Sequence, residues 1–471
     1  MPKRSKEKDF LINILIYGIG NIGSKAIAFL LVPFYTYYIT PEDFGTYDIY
    51  LGFIFLLIPI LTFDFRDGVF RLLLETRNTR KRTEIITNAY RIIFRNLLIS
   101  ILLACVVYLF YPFQYFPEVI GMLLVVSVNE VHVQIYRGLD RNRYYVYTGI
   151  FSTLLTGLFS ILLVAVLHWG VHGIFWSFII SRVAVLMGLE YKMPVFRRYI
   201  IPKVKAPLVR RELLSYSLPL LPSVVCWWIL SFAGRLVVLH FLGSEANGIY
   251  AVASKLAIIL GTLALVIYQA WQDTAIKQYH TPDRDVFFSQ IFNNYIFYLA
   301  VVLVLSSLGL KIFFSWLIAP QYADSFYYIY PCFLAEFFYA MAAFFDLGYQ
   351  CSKQTRRILP SIYVMTALNI LLNILLVPRW ELVGVVIASL VSYGLLFVYR
   401  AYDTRRYFHI VWKPSAYLAF VILLVGGGIY YCISSPWLLW LFVCGFGVVS
   451  FFYLPEKIRT RIKSTLGYEK K

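Results

Sequence analysis

Residues 80–110 read RKRTEIITNAYRIIFRNLLISILLACVVYLF: five cations toward one end, then a long run without a charge. A membrane-crossing helix takes roughly 20 mostly apolar residues, and this stretch supplies them from about residue 86. Thirteen further apolar segments share the design, the first over 11–38 and the last over 437–454. Thirty-six of the 43 Lys and Arg residues gather at alternate segment ends, namely before residue 9 and at 71–95, 137–143, 192–211, 277–284, 353–357, 400–413 and 457–471. The intervening loops hold only Lys311 and Arg379. Cationic side chains resist translocation, so short loops rich in them face the cytoplasm. The expectation is an all-α polytopic membrane protein of about fourteen transmembrane helices, with both termini cytoplasmic.

A mean hydropathy of +0.71 excludes an ordinary soluble globule. So do 60% apolar and 14% charged residues. The net charge of +18 would suggest nucleic acid in a soluble protein. Spread over membrane ends, it instead meets anionic lipid head groups. The six cysteines are scattered without a CxxC pair, which gives no disulfide framework and no metal site. The basic start resembles a signal-peptide leader, but the apolar stretch after it runs to about Tyr38 and reads as an uncleaved first helix. The loops between spans are too short to hold a soluble domain, so function is expected within the bilayer.

The chain repeats itself. Glu42-Asp-Phe-Gly45-Thr-Tyr47, between spans 1 and 2, returns at an offset of 203 as Glu245-Ala-Asn-Gly248-Ile-Tyr250, between spans 7 and 8. The turn from His168-Trp169 to Gly173 and Ser181 returns at an offset of 211 as Arg379-Trp380, Gly384 and Ser392. Two matches at nearly one offset, at equivalent turns, indicate a parallel duplication of six helices. An N-terminal lobe over 1–200 and a C-terminal lobe over 201–410 follow, with two appended helices and a basic tail over 411–471.

Five cations lie inside the spans: Lys25, Arg66, Arg182, Arg235 and Lys255. A charged residue at a helix centre costs about 2.5–3.5 kcal/mol on insertion scales, so it normally faces a wet cavity or a partner. Lys25 and Arg66 sit on spans 1 and 2, and Arg235 and Lys255 on spans 7 and 8, the first two helices of each repeat. These four are the candidate substrate-binding cations. Asn21 belongs with Asn13, Tyr17 and Lys25 to a polar stripe at four-residue spacing on span 1. Ser231 belongs to a like stripe with Ser223, Trp227 and Arg235 on span 7, and Thr366, Asn369 and Asn373 mark span 11. A polar cavity with excess positive charge suits an anionic substrate. Arg66 also has a local alternative, pairing within Asp64-Phe-Arg66-Asp67, and Arg182 is placed to snorkel or to pair with Glu190.

Glu130 and His132 on span 4, and Glu336 and Asp346 on span 10, are candidates for proton or sodium coupling or for neutralising the cavity cations. Gly18-Ile-Gly20-Asn-Ile-Gly23 satisfies G-x-G-x-x-G but lies inside an apolar helix, where close helix packing explains it better than a nucleotide. His168 and His172 lack a third ligand for a metal. No cofactor is expected. Prolines within or at the ends of spans, including Pro59, Pro219 and Pro222, free backbone carbonyls and are candidate hinges.

Several diffuse signatures occur in order: Val32-Pro33 then Thr40-Pro41-Glu42-Asp-Phe-Gly45, Phe70-Arg71, Ser217-Leu-Pro219-Leu-Leu-Pro222, and Gly248-Ile-Tyr250. Through them, residues 10–410 resemble the polysaccharide-biosynthesis (Wzx-type) flippases of the multidrug/oligosaccharidyl-lipid/polysaccharide exporter superfamily. The resemblance implies two six-helix lobes meeting in a V, two trailing helices, and residence in a bacterial inner membrane. It implies transfer of undecaprenyl-diphosphate-linked oligosaccharide to the outer leaflet for surface polysaccharide such as O-antigen, alongside the polymerase and glycosyltransferases of the pathway. Lipid II flippase relatives imply cavity cations on the diphosphate, a part only Lys25, Arg66, Arg235 and Lys255 can play here. A cation-coupled multidrug exporter shares the fold but favours a carboxylate-lined cavity. A membrane glycan polymerase or ligase carries a sizeable external loop that this chain lacks.

Overall fold

The computed structural model describes residues 29–200, 206–219, 221–352, 354 and 357–452. Within them there is no strand. Helix α1 is described over 29–38. It is followed by α2 (Pro41–Thr62), α3 (Phe65–Glu75), α4 (Thr79–Phe110), α5 (Phe116–Gly138), α6 (Asn142–Ser160) and α7 (Gly170–Lys192). Short helices α8 (Val195–Tyr199) and α9 (Pro207–Ser217) precede α10 (Leu221–Gln278), α11 (Arg284–Leu317), α12 (Phe326–Cys351), α13 (Ile358–Asp403), α14 (Pro414–Cys432) and α15 (Pro436–Phe452).

Ten stretches are long and apolar enough to cross a membrane, and two of them are double. At about 1.5 Å per residue, α10 as one rod would be about 87 Å long, far beyond a hydrocarbon layer of roughly 30 Å. It breaks at Gly243, whose φ of 86° and ψ of −179° are non-helical. Helix α13 breaks likewise at Glu381, φ 51°. With those breaks and the shorter apolar α15, thirteen of the fourteen expected spans lie among the described residues, and α1 is the described end of the remaining one. The flank of α4 carries Leu102, Leu103, Leu109 and Phe110 in the open. Such a surface suits lipid and would aggregate in water.

Local signals set the boundaries. Thr40 caps α2 by accepting a hydrogen bond from the Asp43 amide at 3.2 Å, Pro41 occupies the first turn, and Glu42 and Asp43 face its positive end. Asn78 caps α4, accepting from the Arg80 amide at 2.9 Å. The second apolar segment is broken in two: Phe63 and Asp64 both adopt left-handed conformations, and the Asp64 amide donates to the Pro59 carbonyl at 2.8 Å. The seventh span begins at Leu221, with Pro222 in its first turn and Pro219 lying between it and amphipathic α9.

The duplication is visible in the backbone. Gly170 (φ 54°) and Glu381 (φ 51°) occupy equivalent positions, each with positive φ at the turn where its repeat enters its sixth helix. Gly45 and Gly248, also equivalent in the two repeats, pack against each other reciprocally. A Cβ on Gly45 would overlap the Ser244 carbonyl and the Gly248 amide, and one on Gly248 would overlap the Pro41 carbonyl and press on the Gly45 amide. Asn247 Nδ2 donates to the Gly45 carbonyl at 2.9 Å, in a buried position.

The chain forms two compact units, Met1–Ala251 with Asn373–Glu381, and Val252–Leu372 with Leu382–Lys471. In the first, α6 and α7 are joined by buried hydroxyl pairs, Thr156–Ser181 at 2.7 Å and Ser160–Ser177 at 2.9 Å, with Tyr35 on Ser160 at 2.8 Å. In a membrane, apolar side chains give helices little reason to prefer one another over lipid, so small residues and cross-helix hydrogen bonds carry the pairing. In the second unit, Asn369 donates to Ser392 Oγ at 3.2 Å and to the Ala388 carbonyl at 3.3 Å. Ser392 and Ala388 are the repeat equivalents of Ser181 and Ser177, so the same helix face is used again.

Candidate functional site

Arg235 projects from α10 toward α2. Its Nε lies 2.7 Å from Asp48 Oδ2, with side chains 13% and 6% exposed. The guanidinium and the carboxylate form a close, largely buried ion pair. Arg235 Nη1 donates to the Ser231 carbonyl at 3.1 Å, and its guanidinium carbon lies 5.6 Å from the centres of both Phe232 and Tyr250. The close passage of α2 that brings Asp48 here depends on Gly52, whose Cβ position is filled by the Phe232 ring.

Arg66 emerges just after the Phe63–Asp64 break. Nη1 lies 3.4 Å from Glu130 Oε2 and Nε 3.6 Å from Asp67 Oδ1, with the Arg66 side chain half exposed. Asp64 joins the same electrostatic group. Arg182 also lies within electrostatic reach of Glu130, so two cations stand among three carboxylates and the group keeps net negative charge. This departs from the expectation of a cation presented to an anion, and it follows from the break, which turns Asp64, Arg66 and Asp67 toward α5.

Other predicted residues fall elsewhere. Lys25 and Asn21, with the glycine motif at 18–23, lie outside the described residues. Lys255 is half-buried on α10 in the second unit. On α12, Glu336 lies against the same helix: a Cβ on Gly261 would come 2.6 Å from its Oε2. Asp346 is held by Arg400 Nη1 at 2.6 Å, and Arg400 is fully buried. Arg400 counts in the sequence with the solvated cations of the basic ends; the structure places it inside the second unit instead. His132 is fully buried between two tyrosine hydroxyls, Tyr90 at 2.7 Å and Tyr136 at 3.0 Å. Both ring nitrogens are engaged within the packed interior, not displayed to a cavity. Asn369, expected as cavity lining, serves the α13 helix pair described above, and Asn373 is completely buried. Ser231 is exposed and bonds back to its own helix, at the Trp227 and Trp228 carbonyls. Arg182 stacks over Phe178 with its guanidinium carbon 3.1 Å from the ring centre. Glu190 instead accepts from the Val195 and Phe196 amides at the start of α8.

Asp48 and Arg400 are the residues the charge reading passed over. Asp48 carried a signal: a carboxylate inside an apolar segment costs as much as the cations that were singled out. Arg400 had none, because its place near the end of its segment hid its depth. His172 Nδ1 lies 2.6 Å from Glu118 Oε1. Among the described residues, no group of three or more His, Cys, Asp or Glu could hold a metal ion.

The arrangement sets interior charges against close neighbours of opposite sign. A guanidinium held by a carboxylate can exchange it for a phosphate, since both accept in the same manner. A carboxylate released in this way can take a proton or a small cation.

No curated protein sequence matches the chain. Among solved structures, it is similar to the lipid II flippase MurJ in an inward closed conformation, at 14% identity and TM-score 0.66 over 97% of this chain and 99% of that one. It is similar to an inward-facing multidrug-resistance MATE-family transporter of the MOP superfamily, at 12% identity and TM-score 0.64 over 81% and 95%. A MOP-superfamily transporter from Pyrococcus furiosus, described by a binding pocket of reverse polarity, matches at 14% identity and TM-score 0.50 over 83% and 95%. These likenesses establish the fold, which is that of the MOP-superfamily transporters, and the long apolar helices make it a multi-pass membrane protein. The polysaccharide biosynthesis protein family matches residues 10–272, more than half of the chain, and the chain belongs to that family.

Proposed function

We infer that the protein is a flippase that moves undecaprenyl-diphosphate-linked oligosaccharide from the cytoplasmic to the outer leaflet of a bacterial inner membrane. It works by alternating access and serves surface polysaccharide assembly. It performs transport and no covalent chemistry. Membership of the polysaccharide biosynthesis family supports the glycan, and the cation distribution supports cytoplasmic termini. The observation that carries the reading is Arg235, a largely buried guanidinium on a long apolar helix, set against the Asp48 carboxylate. An incoming diphosphate displaces Asp48 from Arg235, and Asp48 is then free to accept a proton. Lys25 and Lys255 are further cations assigned to phosphate recognition. Glu130 with its neighbours Asp64 and Asp67, and Glu336, are the carboxylates available for a coupling proton or sodium ion.

A second reading, a cation-coupled multidrug exporter, is favoured by the three carboxylates around Arg66. Deleting the gene in its host separates the two. Loss of surface polysaccharide with build-up of its lipid-linked precursor supports the flippase, whereas normal polysaccharide with hypersensitivity to cationic drugs supports the exporter. Complementation with Arg235→Ala, Lys25→Ala or Lys255→Ala leaves surface polysaccharide absent even where membrane protein is matched in amount to the parent. Normal polysaccharide with all three variants refutes the assignment of these cations.

A further inference from the structure

At the ends of α10, α12 and α13 in the second unit, three loops converge around a cavity of about 610 Å³. That volume lies in the range of small-ligand sites. Tyr279, His280, Gln354, Arg357, Arg406 and Tyr407 supply most of the wall, which contains no carboxylate among the described residues. The wall is braced from behind. Tyr407 OH donates to Gln354 Oε1 at 2.9 Å, and the Gln354 amide donates to the Tyr349 carbonyl at 2.8 Å. Tyr349 OH donates to Asp403 Oδ2 at 2.7 Å, and that same carboxylate pairs with Arg406. The Arg284 guanidinium lies 5.2 Å from the Tyr279 ring centre, outside the cavity wall.

Arg357 differs from its neighbours. Its backbone amide bonds Gln354, while its exposed guanidinium has no hydrogen bond or ion pair with any described residue. His280 is exposed, and among the described residues its ring meets the Tyr279 ring. Burial raises the pKa of the Tyr279 hydroxyl above its ordinary value, so it stays protonated and able to donate. The cavity therefore combines uncommitted cationic and neutral donors with two aromatic faces, on a braced frame and without an opposing carboxylate.

We propose that this cavity is a binding site for a phosphate ester, with the phosphate on Arg357 and His280 and the remainder of the ligand against Tyr279 and Tyr407. An arginine fork binds phosphate oxygens in pairs, and an aromatic wall accepts a sugar or glycerol face. The site is separate from Arg235 and does not depend on what the protein transports. The phosphate has two sources, the head group of an anionic phospholipid or a soluble sugar phosphate.

The full chain, purified in detergent and stripped of lipid, is titrated with dioleoylphosphatidylglycerol under native mass spectrometry and with radiolabelled glucose 1-phosphate by equilibrium dialysis. One probe saturates at a single site. Losing the charge-assisted bond lowers its affinity about tenfold in Arg357→Gln. His280→Ala weakens it in the same direction, while Arg197→Gln, at an exposed arginine on α8, leaves it unchanged. Saturable phosphatidylglycerol binding of this pattern assigns the lipid source; saturable glucose 1-phosphate binding assigns the soluble one. Binding of neither probe, or binding that falls equally in Arg197→Gln or not at all in Arg357→Gln, overturns the proposal.

Discussion

The Asp48–Arg235 pair makes a prediction that separates structure from transport. Breaking a buried ion pair by removing one partner strands the other charge and costs about 3–5 kcal/mol. Here the side chains are 6% and 13% exposed, and Arg235 keeps its bond to the Ser231 carbonyl, which places each loss at the lower end. Asp48→Asn and Arg235→Gln each therefore destabilise the protein by about 3 kcal/mol. Independent sites would sum to about 6 kcal/mol. The double variant instead strands no charge and is no less stable than either single variant. Reversible unfolding in mixed detergent–SDS micelles, followed by tryptophan fluorescence, measures the cycle. A double variant as unstable as the sum, or single variants within about 0.5 kcal/mol of the parent, refutes the pairing. The same double variant then tests function. Restored stability with surface polysaccharide still missing shows that the charged pair itself is needed for transport, whereas restored polysaccharide removes Arg235 from the phosphate-binding role.

Three further outcomes follow from the geometry. Gly45→Ala and Gly248→Ala each force a Cβ into facing backbone and destabilise by about 3 kcal/mol or more, while Gly188→Ala, which meets open space, is neutral or slightly stabilising; thermal unfolding in detergent compares them. Asp346→Ala, which strands fully buried Arg400, lowers stability by about 3–5 kcal/mol, and Asp346→Ala with Arg400→Leu recovers most of it in the same unfolding assay. Ser435→Cys and Arg357→Cys, each in a chain stripped of its native cysteines, report opposite sides of the membrane. A maleimide that cannot cross the bilayer labels the first in intact spheroplasts and the second only after lysis, and the reverse pattern overturns the positive-inside orientation.

The architecture was legible in the chain alone. Fourteen apolar segments, the alternation of cations and the two offset repeats are properties of the sequence, because a bilayer requires each segment to satisfy its own backbone as a helix. The repeated turns even located the points at which Gly243 and Glu381 leave helical geometry. What each interior charge does was settled by packing. Helical phase indicated that Arg235 must face something other than lipid, but Asp48 lies far off in the chain on another helix, a pairing no periodicity encodes. Likewise, His132 among tyrosines, Asn369 in a helix seam and Asp346 under Arg400 look in one dimension like cavity residues. Their roles depend on which neighbour arrives within about 3 Å, and a hydrogen bond or ion pair is that short-ranged. A cation buried in a segment must have a partner, but only the packed fold names it.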